Sequence, residues 1–253
     1  MVAANGGHAV MGLGHSPRIV TDGLVLCLDA ASKRSYPGTG TTWTDLKGGN
    51  NGTFTNGATF DAGSGGSIVF DGTNDYINCG PTNDITGGNE SEISICCWVK
   101  AHTSSHDGYA VSLKRSSADS TLVSIVVNQQ NSGSHTANYL GFIYSSTSNP
   151  VHRWVTKNDS TFYNKWTHVS ATVNTTAATL YVNGVNSGQN TSDTYSGPSI
   201  SNNTANTTIG AFKASDSNSL YLDGDISLVQ VYTKTLTPDE ILQNYLSTKE
   251  RYA

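Results

Sequence analysis

Charge is scarce in this 253-residue chain: Asp, Glu, Lys and Arg make up only 13% of it, and only four residues are Glu. Coiled coils and long salt-bridged helices, which depend on charged faces, are excluded. The 14 Lys and Arg are scattered and the net charge is −5, so no basic stripe could meet a nucleic-acid backbone. No stretch approaches the roughly 20 apolar residues of a membrane span. The N-terminus lacks both the basic segment and the apolar core of a signal peptide. Membrane insertion and Sec export are therefore not expected. The four cysteines, Cys27, Cys79, Cys96 and Cys97, form no CxxC pair, which argues against zinc. They read best as small buried thiols, with a Cys27–Cys79 bridge as the alternative.

What the chain has in excess is Ser, Thr and Asn, 85 residues together, alongside 26 Gly. These residues compete with helix backbone, while Thr suits strands and Asn and Gly suit turns. About a dozen short apolar segments follow one another between polar loops: 24–28, 67–70, 76–79, 93–99, 109–113, 122–127, 139–144, 153–155, 166–173, 179–182, 207–209 and 221–232. Each has strand length, and the number fits a two-sheet antiparallel sandwich. In the fourth segment Ile93, Ile95, Cys97 and Val99 alternate with Ser94, Cys96, Trp98 and Lys100. Apolar bulk on both sides predicts a central strand, or one whose second face is covered by loops. Asn183-Gly184 between Leu180, Val182 and Val185 predicts a type I′ hairpin. Thr237-Pro238-Asp239-Glu240 is a capping box followed by Ile241, Leu242, Tyr245 and Leu246 at helical spacing. It predicts one helix over 238–248, covering an edge or end of the sandwich. Residues 1–20 show no sustained period and read as an N-terminal arm ahead of a single domain over 21–253.

Several motifs occur in a characteristic order: Ile19 to Leu26 ending in Asp29-Ala30, Ser35-Tyr36-Pro37-Gly38, Thr42-Trp43-Thr44-Asp45-Leu46, Asn51-Gly52-Thr53 and Phe70-Asp71-Gly72-Thr73-Asn74-Asp75-Tyr76-Ile77. Trp166-Thr167-His168-Val169, Leu180 to Gly184, Ile209-Gly210 and Asp225-Ile226 to Tyr232 complete the set. Together they resemble laminin-G-like domains of the concanavalin A-like lectin/glucanase superfamily over roughly residues 19–247. The Asp-Gly-Leu-Val, Ser-Tyr-Pro-Gly and Trp-Thr-Asp-Leu versions are similar to those of structural proteins of marine tailed bacteriophages. The resemblance implies an all-β jelly-roll sandwich carried on a virion and made in the host cytoplasm. It also implies capsid or tail proteins as partners, a homo-oligomer on a symmetric particle, and adhesion to a host-surface glycan.

No enzymatic role is expected. The superfamily's glucanases use paired carboxylates on a Glu-x-Asp-x-x-Glu pattern, which is missing here: Glu90 and Glu92 precede a strand, Glu240 lies in the helix cap and Glu250 in the tail. No Gly-x-Ser-x-Gly elbow occurs, and His168 reads as a hydrogen-bonded sheet histidine. His102 and His106 with Asp107 have spacing that suits a metal only on a helix, for which the intervening Thr103-Ser104-Ser105 gives little reason. Calcium is the metal that best suits hard oxygen donors, and Asp71, Asn74 and Asp75 are the nearest such cluster, although the same residues make a good Asx-bonded hairpin loop. Where the family usually places Gly-x-Ile-Asp-Glu, this chain has Gly224-Asp225-Ile226-Ser227-Leu228, without both acids. Trp43, Trp98 and Trp166 read as fold or core residues. Trp154, beside His152 and Arg153, is the candidate sugar-facing aromatic. The reading that follows is a virion structural protein, a capsid decoration or tail-associated adhesin. A free carbohydrate-binding lectin or a polysaccharide hydrolase are the alternatives.

Overall fold

The segment from Ile93 to Ala101 is buried almost throughout, which is what its two apolar faces require. The computed structural model describes residues 17–88, 91–102, 108–114, 121–127, 139–145, 152–158, 160–190, 205–213 and 219–253. In chain order the strands are β1 (Leu24–Asp29), β2 (Thr42–Trp43), β3 (Gly52–Thr55), β4 (Thr59–Asp61), β5 (Ser67–Asp71), β6 (Tyr76–Pro81), β7 (Ile93–Ala101), β8 (Gly108–Lys114) and β9 (Thr121–Val127). They continue with β10 (Tyr139–Ser145), β11 (His152–Asn158), β12 (Thr167–Val173), β13 (Ala178–Val182), β14 (Val185–Asn190), β15 (Asn206–Ile209), β16 (Ala211–Lys213), β17 (Ser219–Tyr221) and β18 (Asp223–Tyr232). Two α-helices are described, α1 (Thr82–Thr86) and α2 (Pro238–Thr248).

The strands build the expected two-sheet antiparallel sandwich. One sheet runs β14-β13-β12-β7-β18-β5-β4, and the other β11-β10-β9-β8-β15-β6-β3-β2. Strand β18 is long enough to serve two neighbours along one edge: Asp223 to Ile226 pair with β5, and Leu228 to Tyr232 pair with β1. Between the sheets lies one continuous core that includes Leu28, Phe70, Ile95, Phe142, Val169 and Val229. Every segment that the apolar pattern marked is a strand. Strand β14, which the pattern did not mark, follows from the Asn183-Gly184 hairpin signal; the other unmarked elements, β2, β3, β4, β16, β17 and α1, run from two to five residues, too short for a period to show.

Asn183 and Gly184 take φ values of 51° and 78°, both positive as a type I′ turn demands, and Val182 pairs with Val185 across it. Helix α2 starts as predicted: Glu240 N–H donates to Thr237 Oγ1 at 3.3 Å and Thr237 N–H donates to Glu240 Oε2 at 2.9 Å. Its position differs from the expected edge or end. Ile241 packs in one buried cluster with Cys96, Trp98, Tyr181, Leu228 and Tyr232, so α2 lies across the outer face of the first sheet. The reason is the second apolar face of β7, which the loops alone do not cover and the helix does. Cys96 and Cys97 accordingly sit in different clusters, on opposite faces of the strand. All four cysteines are free and buried, and burial pushes the Cys27 and Cys79 thiols up to about 12, which leaves them unreactive at neutral pH.

Polar bonds fasten this cover. Val20 N–H donates to Asn244 Oδ1 at 2.8 Å, Asn244 Nδ2 donates to the Tyr232 hydroxyl at 3.0 Å, and that hydroxyl donates to Val20 O at 3.0 Å. Trp98 Nε1 donates to Thr248 Oγ1 at 2.8 Å while its ring stacks on Tyr252 at 4.1 Å. Arg251 Nη1 reaches both oxygens of Asp29 at 2.9 Å. The last residues of the expected arm thus belong to the packed unit: Val20 is buried, and Arg18 O accepts from Gln243 Nε2 at 2.6 Å.

Candidate functional site

Asp45, the acid of the Trp-Thr-Asp-Leu motif, is buried and organises the loop ahead of β3. Its Oδ1 accepts from Cys27 N–H at 2.9 Å and Lys47 N–H at 3.0 Å, and its Oδ2 accepts from Asn50 N–H at 3.4 Å. In return Asp45 N–H donates to Asn51 Oδ1 at 2.9 Å. Ser35 adds a second lock, its hydroxyl accepting from Asp29 N–H and donating to Thr44 O. The motifs that carry the sequence resemblance are therefore hydrogen-bonding devices that hold the 29–51 segment against β1. Asp45→Ala should leave the buried Cys27 N–H without its acceptor and cost about 3 kcal/mol, the upper end for one bond to a charged acceptor, since the Lys47 and Asn50 donors can turn to water. A urea midpoint unchanged from the parent would contradict this role.

That loop, β3, β6 and α1 together enclose an open concavity of about 380 Å³. Its lining includes Asn50, Asn51, Thr53, Asn78, Gly80 and Asp84. Thr53 stands opposite Asn78 in the β3–β6 register, which brings residues 25 apart in sequence to one surface. Asn78 Oδ1 accepts from Gly80 N–H at 3.0 Å, and Asn50 Nδ2 donates to Asp84 O at 3.4 Å. The walls are amide, hydroxyl and carboxylate groups, suited to hydrogen bonding.

A second polar cluster forms on the outer face of the first sheet. Lys100 Nζ lies 3.1 Å from Asp225 Oδ2, and the His102 ring spans Asp223 Oδ1 and Asp225 Oδ2, both at 3.2 Å. Register creates it: Lys100 pairs with Asp225, so alternate residues of β7 and β18 share the face. Sequence reasoning grouped His102 with His106 and Asp107 and missed these partners, because nothing in the spacing signals a contact across 121 positions. His106 and Asp107 lie outside the described residues.

The calcium candidates behave as a hairpin loop. Thr73 N–H donates to Asp71 Oδ1 at 2.8 Å, Asp71 N–H donates to Asp75 Oδ2 at 3.3 Å, and Asn74 contributes its backbone oxygen to Asn56 Nδ2 at 2.6 Å. Asp75 is buried, and burial, then the Asp71 charge, raises its carboxyl above the ordinary range. Among the described residues no three His, Cys, Asp or Glu side chains converge to hold a metal. His152, Arg153 and Trp154 lie on β11, in register with Ser145, Tyr144 and Ile143, but their side chains fall outside what the structure describes. Trp43 and Trp98 are core residues as read, whereas Trp166 is half-buried, its Nε1 donating to Ser64 Oγ at 3.0 Å.

His168 is not the hydrogen-bonded histidine that the sequence suggests. Its ring is fully buried and neither nitrogen has a hydrogen-bond partner. Its hydrogen bonds run through the backbone: His168 N–H donates to Asn183 Oδ1 at 2.9 Å, and His168 O accepts from Asn183 N–H at 2.8 Å. The imidazole is packed between Trp98 and Tyr245, with ring centroids 5.3 and 5.8 Å away, because α2 closes over that face. Burial holds its pKa down at about 3. A neutral, sealed imidazole is packing material here, with no route to a substrate.

Comparison with known proteins places these features in a wider group. A laminin G family described as the concanavalin A-like lectin/glucanases superfamily matches residues 71–242. No curated protein matches. Among solved structures, a Trypanosoma rangeli sialidase is similar with a TM-score of 0.66 and 15% identity, over 92% of this chain and 34% of that one. The receptor binding domain of a botulinum neurotoxin C/D mosaic serotype aligns with a TM-score of 0.61 and 17% identity, over 88% of this chain and 51% of that one. A botulinum neurotoxin type C structure, whose cell entry is described as dependent on two ganglioside molecules, aligns at 0.61 and 18% identity, over 89% and 51%. The chain thus spans about a third of the sialidase and half of the toxin domains. At these identities the likeness establishes the shared sandwich alone.

Proposed function

We propose that this chain, which belongs to the concanavalin A-like lectin/glucanase superfamily, is a non-enzymatic structural component of a bacteriophage particle that presents a lectin-like sandwich to host glycans. The observation that carries the adhesive part is how its acid–base side chains are used. Glu92 Oε2 accepts from Thr235 N–H, Glu240 closes the helix cap, Asp45 holds a loop and His168 is sealed beneath α2. The open concavity is left with amides, a hydroxyl and a carboxylate, groups that hold a ligand by hydrogen bonds. The botulinum neurotoxin type C structure, described as dependent on gangliosides for cell entry, shares the architecture, which supports glycan contact as a use of this fold. The particle assignment rests on the Asp-Gly-Leu-Val, Ser-Tyr-Pro-Gly and Trp-Thr-Asp-Leu motifs and on their resemblance to phage structural proteins.

In this reading residues 1–16 dock on a capsid or tail partner and the sandwich projects. Deleting residues 1–16 spares Arg18 and Val20, whose contacts with α2 fix where the truncation must stop. The truncated chain should fold with an unchanged urea midpoint and be missing from purified particles by quantitative mass spectrometry. Its incorporation at the parental copy number would defeat the docking role. Absence of the full-length chain from particles would defeat the virion assignment and leave the free lectin.

A further inference from the structure

We infer that the concavity between the 49–53 loop, β6 and α1 is a binding site for a neutral, hydroxyl-rich saccharide unit and discriminates against acidic sugars. The inference rests on the adhesive reading above and assigns it a place and a ligand class. At about 380 Å³ the concavity falls near the lower end of the range for small-molecule sites, roughly 300–1,000 Å³, which suits one or two sugar rings.

The hydrogen-bonding groups sort by role. Asn51 Oδ1 is taken by Asp45 N–H and Asn78 Oδ1 by Gly80 N–H, which orients both amides and leaves their Nδ2 groups as donors. Asp84, exposed at the rim, supplies acceptor oxygens, and the Thr53 hydroxyl both donates and accepts. Each sugar hydroxyl donates once and accepts up to twice, so an amide donor beside a carboxylate acceptor matches a pair of adjacent hydroxyls. The amides come pre-set by bonds to backbone, so little conformational freedom remains to be lost on binding.

Charge fixes the discrimination. The lining contains no Lys, Arg or His, and its single ionised group is Asp84. A sialate, uronate or sulfated sugar would meet a like charge with no cation to offset it. The lining also has no aromatic ring, so ring stacking contributes nothing and affinity for a single site falls in the millimolar range. Multiple copies on a particle would raise this by avidity.

The test is two-dimensional NMR of the full chain titrated separately with D-galactose, D-glucose, D-mannose and N-acetylneuraminic acid. At least one neutral hexose should shift amides within 49–53 and 78–84, and N-acetylneuraminic acid should leave them unmoved. Asp84→Ala removes the acceptor and Thr53→Arg fills the concavity; both positions are exposed, so both variants should fold, and each should weaken binding at least tenfold. Neutral sugars that shift other residues only, binding indifferent to both substitutions, a stronger response to N-acetylneuraminic acid, or no response from any sugar would each overturn the inference. Particle location is measured independently, so the site can fail while the virion assignment stands, and the reverse.

Discussion

Acidification from about pH 7 to about pH 5 should remove about 2 kcal/mol of folding stability through His168 alone, at about 1.4 kcal/mol per unit of pKa difference. In the folded chain burial keeps its imidazole pKa at about 3, against 6.5 when it is exposed. Below about pH 6.5 the unfolded chain takes up a proton that the folded chain refuses, so the unfolded state gains with every further fall in pH. The contribution is fully present above the unfolded value and is lost progressively as pH drops toward the folded one. The carboxylates held low by Lys234, Asp22 and Glu240, start from ordinary values of 3.8 and 4.5 and so act in a more acidic window. His168→Phe keeps a ring between Trp98 and Tyr245 and removes the titration. Urea midpoints measured for both proteins across this range should diverge: the parent falls and the variant stays flatter. Parallel pH profiles would show that the ring is hydrated or bonded in solution and would remove the argument.

The second large effect belongs to Gly210, in the Ile209-Gly210 motif. It joins β15 to β16 with φ at +79°, and a Cβ there would drive into the ring of Phe70, which is fully buried. Its N–H donates to Ala110 O at 3.0 Å and its carbonyl accepts from Leu222 N–H at 2.8 Å, so the backbone has nowhere to retreat. Gly210→Ala should therefore cost about 2–5 kcal/mol, combining about 1–2 for a left-handed side chain with about 1–3 for overpacking. Gly40 separates the two parts. Its φ is +96° and a Cβ there meets nothing within 4 Å, so Gly40→Ala should show the conformational part alone. Adding Phe70→Leu to Gly210→Ala should recover part of the loss, because the smaller side chain relieves the collision but leaves the strain. Equal costs for Gly40→Ala and Gly210→Ala would show that the collision is absent.

These cases mark how far residue order reaches. Alternation within β7, the Asn183-Gly184 turn and the Thr237 capping box are local: each depends on neighbours a few positions apart, and each appears in the structure as read. The two-sheet sandwich followed from counting such segments, because short strands with apolar faces have few ways to bury them. Even the opposite placement of Cys96 and Cys97 follows from strand period alone.

The rest depends on register and on which layer covers which. His168 reads as an ordinary strand residue until α2 closes over it, and only then does its ring lose every partner. Lys100, His102, Asp223 and Asp225 meet because β7 pairs with β18 at one register out of many. The concavity exists because Thr53 and Asn78 face each other across two strands that are joined by none of the signals in their own segments. Asp71, exposed, and Asp75, buried, both accept from backbone N–H groups of their own hairpin, a pairing that only the folded loop sets. Local order determined the elements and their capping, since those energies are settled within one turn or one strand. Long-range pairing decided the site, since the distances that make a binding surface are set by partners more than twenty residues apart.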